Sequence, residues 1–306
     1  HPELILMGQD IAEYGGAFKI TEGFVAQFGK HRVRNTPLCE SAIAGTALGL
    51  SLEGYKSMME MQFSDFATVG FNQIVNNLAK IYYRWQQNAD VVIRMPCGAG
   101  VGAGPFHSQT NEAWFTKVPG LKVVYPSTPQ DAKGLLIAAI NDPNPVIYFE
   151  HKALYRSVIG SVPEAYYEIE IGKAKLVNEG TDITIVSYGS TLRIIQDAAN
   201  RLQSIGISCE IIDVQTLLPF DIHHAILTSL QKTNRIVFID EDVPGGATSY
   251  MFNKVMEEQG GYKWLDVAPR TITAKAHRPC YGSDGDYFSK PNAEEIINVV
   301  KEMMAE

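Results

Sequence analysis

His107 closes the stretch GAGVGAGPFH (98–107), in which glycines at 98, 100, 102 and 104 alternate with small residues. A backbone so bare of side chains is able to approach a ligand closely. The strand-like run VVIRM (91–95) comes just before it, and in open α/β sheets ligands gather at the carboxyl ends of strands. An imidazole placed there is suited to giving or taking a proton near neutral pH. The loop matches neither common phosphate cradle. Counted from Gly98 the sixth position is Ala103, which fits only the looser dinucleotide fingerprint, and counted from Gly100 it is Pro105. Pro105 and Phe106 offer no obvious helix start, and no Gly-Lys-Ser/Thr follows. On spacing alone, a hydrogen-bonded loop histidine is the simpler reading.

Two other side chains have chemical potential of the same kind. Glu40 follows Pro37 and opens a small-residue helix in TPLCESAIAGTALGLSLEG (36–54). The helix dipole favours a carboxylate there, so the plain alternative is a first-turn helix residue, with Gly45 and Gly49 as packing sites. Phe66 ends EMQFSDF (60–66) and lies one position off the stripe Ala67, Phe71, Ile74, Leu78, Ile81, Trp85. Its ring belongs either to the rim of the core or to a flat ligand. In INDPNP, Asp142 and Asn144 read as turn formers. DVQTLLPFD (213–221) and DEDVPGGATSY (240–250) read as structural or interface turns, and GSDGD (282–286) as solvated turn chemistry in a long loop.

The elements that must position these residues alternate along the chain. Short apolar runs, suited to parallel strands buried on both faces, occur at 4–8, 57–62, 91–95, 122–126 and 146–150, and again at 183–188, 209–214, 235–240 and 272–276. Helical patterns fall near 41–53, 67–85, 128–140, 191–204, 221–230, 246–259 and 292–304. This alternation predicts an α/β fold of two domains, each a mainly parallel sheet flanked by helices. Periodicity lapses over 152–180, where a short hairpin is expected. The expected division is 1–155, a linker at 156–174, and 175–306.

The 306 residues carry a net charge of −8, which speaks against a general nucleic-acid binder. The apolar runs are too short to span a bilayer. The N-terminus has no signal-peptide pattern, so a cytoplasmic or mitochondrial-matrix location, not secretion, is expected. Four cysteines, at 39, 97, 209 and 280, include no C-x-x-C pair and fit reduced thiols.

In this order, TPLCESAIAG, EMQFSDF, GPFHSQTNEAWF, the long run PGLKVVYPSTPQDAKGLLIAAINDPNPVIYFEHKALYR (119–156), DVQTLLPFD and DEDVPGG resemble one family over nearly the whole chain. It is the β subunit of the thiamine-diphosphate-dependent first component of 2-oxoacid dehydrogenase complexes. The resemblance implies a transketolase-like pyrimidine-binding domain followed by a transketolase C-terminal domain. It implies that Glu40 bonds a ring nitrogen of the cofactor's aminopyrimidine, that Leu38 in the same L-x-E stretch touches the cofactor, and that Phe66 stacks on the ring. By the same resemblance, His107 faces the substrate and assists protonation or acyl transfer to lipoamide. Potassium would be held by Val92, Ala139, Ile140, Asp142 and Asn144.

The family's magnesium-diphosphate side needs a G-D-G motif that this chain lacks. An α subunit, or an α half fused upstream, is therefore expected to supply it, in an assembly of two α and two β chains. The other implied partners are a lipoyl domain and the core of the dihydrolipoyl acyltransferase. The substrate expected is a 2-oxoacid, of the branched-chain 2-oxoisovalerate type by the lean of EMQFSDF and YFEHKALYR, with pyruvate or acetoin as alternatives. Rival readings are a transketolase-like synthase, a non-catalytic scaffold chain and, weakest, a nicotinamide dehydrogenase. Near the C-terminus AHRPCYGSDGDYFSKPNAEE replaces the family's Pro-x-Pro-Tyr turn.

Overall fold

The computed structural model describes residues 1–306. The first half contributes β1 (Leu4–Gly8), β2 (Val33–Asn35), β3 (Lys56–Glu60), β4 (Val91–Cys97), β5 (Lys122–Val124) and β6 (Val146–His151). The second contributes β7 (Lys175–Asn178), β8 (Ile183–Ser187), β9 (Cys209–Asp213), β10 (Thr216–Leu218), β11 (Ile236–Ile239) and β12 (Arg270–Ile272). Seven strands form one sheet in the order β10-β5-β6-β4-β3-β1-β2, and five form another, β12-β11-β8-β9-β7. All pairings are parallel except β10 with β5 and β7 with β9. The two α/β units with mostly parallel sheets are those the alternating pattern predicts. Every residue of β4, β8 and β9 is buried, as continuous Val/Ile runs between two helical layers should be.

The halves are joined more closely than their sequence order suggests. β10 lies in DVQTLLPFD of the second half, yet it completes the edge of the first sheet beside β5. An edge otherwise left with unpaired backbone groups is thereby covered. One apolar cluster runs from Ile5, Met59 and Met95 to Val186, Leu217, Phe238 and Met251, so both sheets share a core.

Five local expectations are corrected. The stripe from Ala67 to Trp85 is not one regular helix: α-helix Ala67–Asn72 passes into a π turn at Gln73–Asn77, a 3-10 turn at Leu78–Lys80 and a last α turn at Ile81–Trp85. The wider π turn rephases the stripe, so Ile74, Leu78 and Ile81 stay buried while Trp85 is left 64% exposed. The helix expected at 221–230 spans Ala225–Thr233, because the Asp221 carboxylate accepts from the Ala225 and Ile226 amides and holds the chain back from starting earlier. The last strand is Arg270–Ile272, not 272–276, since the chain leaves β11 there and the Lys275 amide donates to Ser289 O. GSDGD is not an open turn: residues Ser283–Ser289 form a helix. In the lapse at 152–180 the structure has a short helix, Leu154–Ser157, and the edge strand β7 instead of a hairpin of its own.

Candidate active site

The glycine loop leaves the carboxyl end of β4, beside the end of β6. Gly98 has φ +83°, and a Cβ there would overlap the His151 ring and come within 2.8 Å of Glu241 Oε1, so this position requires glycine. Gly104 has φ +69° and faces the Tyr281 ring in the same way. A single 3-10 turn, Gly104–Phe106, then delivers His107, and the Gly98 amide closes the loop on Gln109 O at 3.0 Å.

His107 meets two aromatic rings edge to face, Phe63 at 4.7 Å and Phe66 at 5.6 Å between centroids. Phe63 and Phe66 come from EMQFSDF, which forms a 3-10 turn at Ser64–Phe66 before the helix beginning at Ala67. Asp65 in that turn fastens the two segments together. Its Oδ1 accepts from the Gln109 amide at 3.2 Å and from Gln109 Nε2 at 2.9 Å.

Glu40 is the first residue of the helix Glu40–Leu52 and is 8% exposed. No protein group hydrogen-bonds or pairs with its carboxylate among the described residues. The Ala67–Asn72 helix packs on its main chain, with Gly70 so near that an added Cβ would lie 3.4 Å from Glu40 O. Leu38, two residues earlier, is 80% exposed. Packing therefore runs without a break from Glu40 through the Phe66 helix to His107, with Leu38 exposed at its rim.

Val92, Ala139, Ile140, Asp142 and Asn144 lie elsewhere. Val92 is near the start of β4 and pairs with Val146 at the start of β6, at the opposite end of the strands from the glycine loop. The Asp142 carboxylate pairs with Lys122 Nζ through one oxygen. Its other oxygen accepts from the Asn144 amide at 2.9 Å and from Asn144 Nδ2 at 3.1 Å. No cluster of three or more His, Cys, Asp or Glu side chains suited to a metal occurs among the described residues.

Several residues around the site do not stand out in the sequence. The buried Arg94 guanidinium is held by Glu60, Glu150 and the Tyr155 hydroxyl. Burial raises the Glu60 carboxyl, against the pull of Arg94. Glu112, fully buried, accepts from the Tyr188 hydroxyl of the second half at 2.6 Å through Oε1, and its Oε2 has no partner. Burial, then the nearby Asp242 charge, push its carboxyl up to about 8. Asp242 itself is raised to about 6, chiefly by burial. The acidic string DED at 240–242 was the available signal, but its direction is a matter of tertiary packing.

Comparison with known proteins places this arrangement. The transketolase pyrimidine-binding domain family matches residues 1–158, and the transketolase C-terminal domain family matches residues 172–288. A 2-oxoisovalerate dehydrogenase subunit beta of Bacillus subtilis is 44% identical over 246 residues, covering 80% of this chain and 75% of that protein. A pyruvate dehydrogenase E1 component subunit beta of Staphylococcus aureus is 43% identical over 304 residues, covering 99% and 93%. Among solved structures, a split-gene transketolase described as an inactive beta4 tetramer superposes with a TM-score of 0.78 at 21% identity, covering 100% of this chain and 93% of that one. The shared fold, with the two domain families in this order and relatives of this identity along nearly the whole length, makes the chain a member of the transketolase-like β subunits of the 2-oxoacid dehydrogenase first component.

Proposed function

We propose that the chain forms the β half of a site for thiamine-diphosphate-dependent oxidative decarboxylation of a 2-oxoacid, with Glu40, Leu38 and Phe66 on the cofactor and His107 on the substrate. The observation that carries this is Glu40. Only 8% of the Glu40 surface is exposed, its carboxylate is bound to no other protein group among the described residues, and a ring nitrogen of an aminopyrimidine fits it as a partner. Phe66, half-buried just before the helix that packs on Glu40, supplies a ring face. When bound, the cofactor supplies a thiazolium carbon that adds to the keto group and an electron sink for the decarboxylation.

The chain's own residues do the rest. Glu40 presents a carboxyl oxygen toward the pyrimidine nitrogen and can share a proton with it there. The rings of Phe63 and Phe66 pack edge to face on the imidazole and cover part of it. His107 donates or accepts a proton at a ring nitrogen toward the substrate, and donates one to the sulfur released when the lipoyl disulfide, the oxidant, takes the acyl group on its other sulfur.

The magnesium-diphosphate side falls to an α subunit or a fused α half, since the chain has no G-D-G motif. We further assign two units, 1–155 and 175–306, joined at 156–174, and an assembly with a second β chain. The lipoyl domain and the core of the dihydrolipoyl acyltransferase are the downstream partners. A potassium ion at Val92, Ala139, Ile140, Asp142 and Asn144 would brace the far end of the sheet and share Asp142 with Lys122. The proposed location is the cytoplasm or the mitochondrial matrix; no helix among the described residues is long and apolar enough to cross a membrane.

The substrate class proposed is a branched-chain 2-oxoacid, on EMQFSDF and YFEHKALYR and on the Bacillus subtilis relative. Relatives named for pyruvate stand at almost the same identity, which makes pyruvate the second reading. The test is turnover by the chain assembled with its α partner, read as decarboxylation of 2-oxoisovalerate, pyruvate and 2-oxobutyrate and as carbon–carbon cleavage of acetoin. The highest kcat/KM on 2-oxoisovalerate, and no turnover without the α partner, is the expected result. A preference for pyruvate replaces the first substrate with the second, and turnover by the chain alone defeats the shared site.

A further inference from the structure

We propose that Glu241, from the second half of the chain, is a positioning residue for His107: its carboxylate fixes both feet of the glycine loop and so sets the direction of the imidazole. The inference rests on the role given to His107 above. Glu241 Oε1 accepts from the Ala99 amide at 3.1 Å and from the Thr110 hydroxyl at 2.9 Å. Ala99 and Thr110 lie on either side of His107, one at each end of the loop. Glu241 Oε2 faces His151 Nε2 at 2.9 Å and accepts from the Ser190 hydroxyl at 3.2 Å.

Four donors converge on one carboxylate, whose two oxygens provide about four acceptor positions. The Ala153 amide donates to His151 Nδ1 at 3.2 Å, so the His151 proton lies on Nε2 and is given to Glu241. The loop passes this anchor only as bare backbone, because a Cβ at Gly98 would collide with His151 and Glu241. Gly100 is tied to the same half by its amide, which donates to Asp286 Oδ2 at 2.9 Å. A loop of glycines has no side chains to define its own path, and loop glycines lose more conformational freedom on ordering than other residues. The anchor supplied by Glu241 compensates for that.

Glu241→Gln keeps the shape and replaces one acceptor oxygen by a donor NH2. Whichever way the amide turns, a donor then faces a donor, at His151 and Ser190 or at Ala99 and Thr110. Thr110→Val removes only one of the four contacts and preserves volume. Both changes are made in the assembled enzyme, with His107→Ala alone and in combination. Three quantities are measured: thiamine diphosphate affinity, KM and kcat for 2-oxoisovalerate, and the rate of reductive acylation of a lipoyl domain.

We expect Glu241→Gln to lower the acylation rate by roughly tenfold to a hundredfold and Thr110→Val by a few fold, with KM and cofactor affinity within about twofold of the parent. In the His107→Ala background neither change should lower the rate further, because residues acting through one group are not additive. Equal loss with and without His107, or full acylation by Glu241→Gln, overturns the proposal. Should Glu241→Gln fail to assemble, the Thr110→Val cycle gives the same two outcomes. Normal acylation by His107→Ala alone instead removes the assignment of His107 on which the proposal stands.

Discussion

Glu112 turns the packing between the two halves into a measurable dependence on pH. Its carboxyl is fully buried, one oxygen takes the Tyr188 hydroxyl, and the other is unpartnered near Asp240 and Asp242. The folded value of about 8 lies above the ordinary 4.5. The native state therefore holds one more proton than the unfolded chain between those limits. Stability from this group is fully present below about pH 4.5 and is lost as pH rises through about 8, with a slope of about 1.4 kcal/mol per pH unit. The whole interval from 4.5 to about 8 corresponds to about 5 kcal/mol as an upper figure.

Glu112→Gln imitates the protonated acid, keeps an acceptor for Tyr188 and cannot ionise. Parent and variant should unfold alike near pH 4, and the variant should become progressively more stable toward pH 8. Asp213 and Asp242, raised to about 7 and about 6, give the parent further slope of the same sign. The difference between parent and variant isolates Glu112. Urea unfolding at half-unit steps from pH 4 to 8.5 gives that difference directly. A gap that stays flat across the range, or a variant less stable at pH 8, would refute a neutral, buried Glu112.

Three further outcomes follow from the site. Glu40→Gln should leave the assembled enzyme intact and lower decarboxylation by about a hundredfold or more; near-normal turnover reduces Glu40 to a helix-start residue. His107→Ala should spare folding and cofactor affinity, because the loop contributes little core, while acyl transfer to a lipoyl domain falls by roughly two to four orders of magnitude. Lost cofactor affinity with normal acylation would make the loop a cofactor cradle instead. Potassium at a hundredfold excess over its Kd should stabilise the protein by about 2.7 kcal/mol relative to tetramethylammonium, and Asp142→Asn should abolish the gain. A melting temperature indifferent to the cation leaves Asp142 as the partner of Lys122 alone.

The local part of this structure was legible residue by residue. VVIRM, VIYFE, ITIVSY and CEIIDV are continuous apolar runs, and each lies in a buried strand, because only strands covered on both faces need no polar side. The helical pattern near 128–140 is the helix Pro129–Asn141, which Thr128 Oγ1 caps by accepting from the Asp131 amide. Glu40, Phe66 and His107 drew notice as residue types in unusual company, and the structure seats Phe66 against His107.

Tertiary packing decided what depends on distant partners. Thr216–Leu218 is too short to announce a strand, and its partner β5 lies about ninety residues earlier, in the first half of the chain. The π turn at Gln73–Asn77 and the delayed helix at Ala225 each reflect a preference settled by neighbours, not by period. Above all, the composition of DEDVPGG shows three acids and a turn, but not that Glu241 reaches across to Ala99 and Thr110. The chain's hydrophobic period is set over a few residues, and so it fixes strands, helices and their alternation. A carboxylate's partners are set by whichever backbone folding brings within 3 Å of it, and no local pattern carries that information.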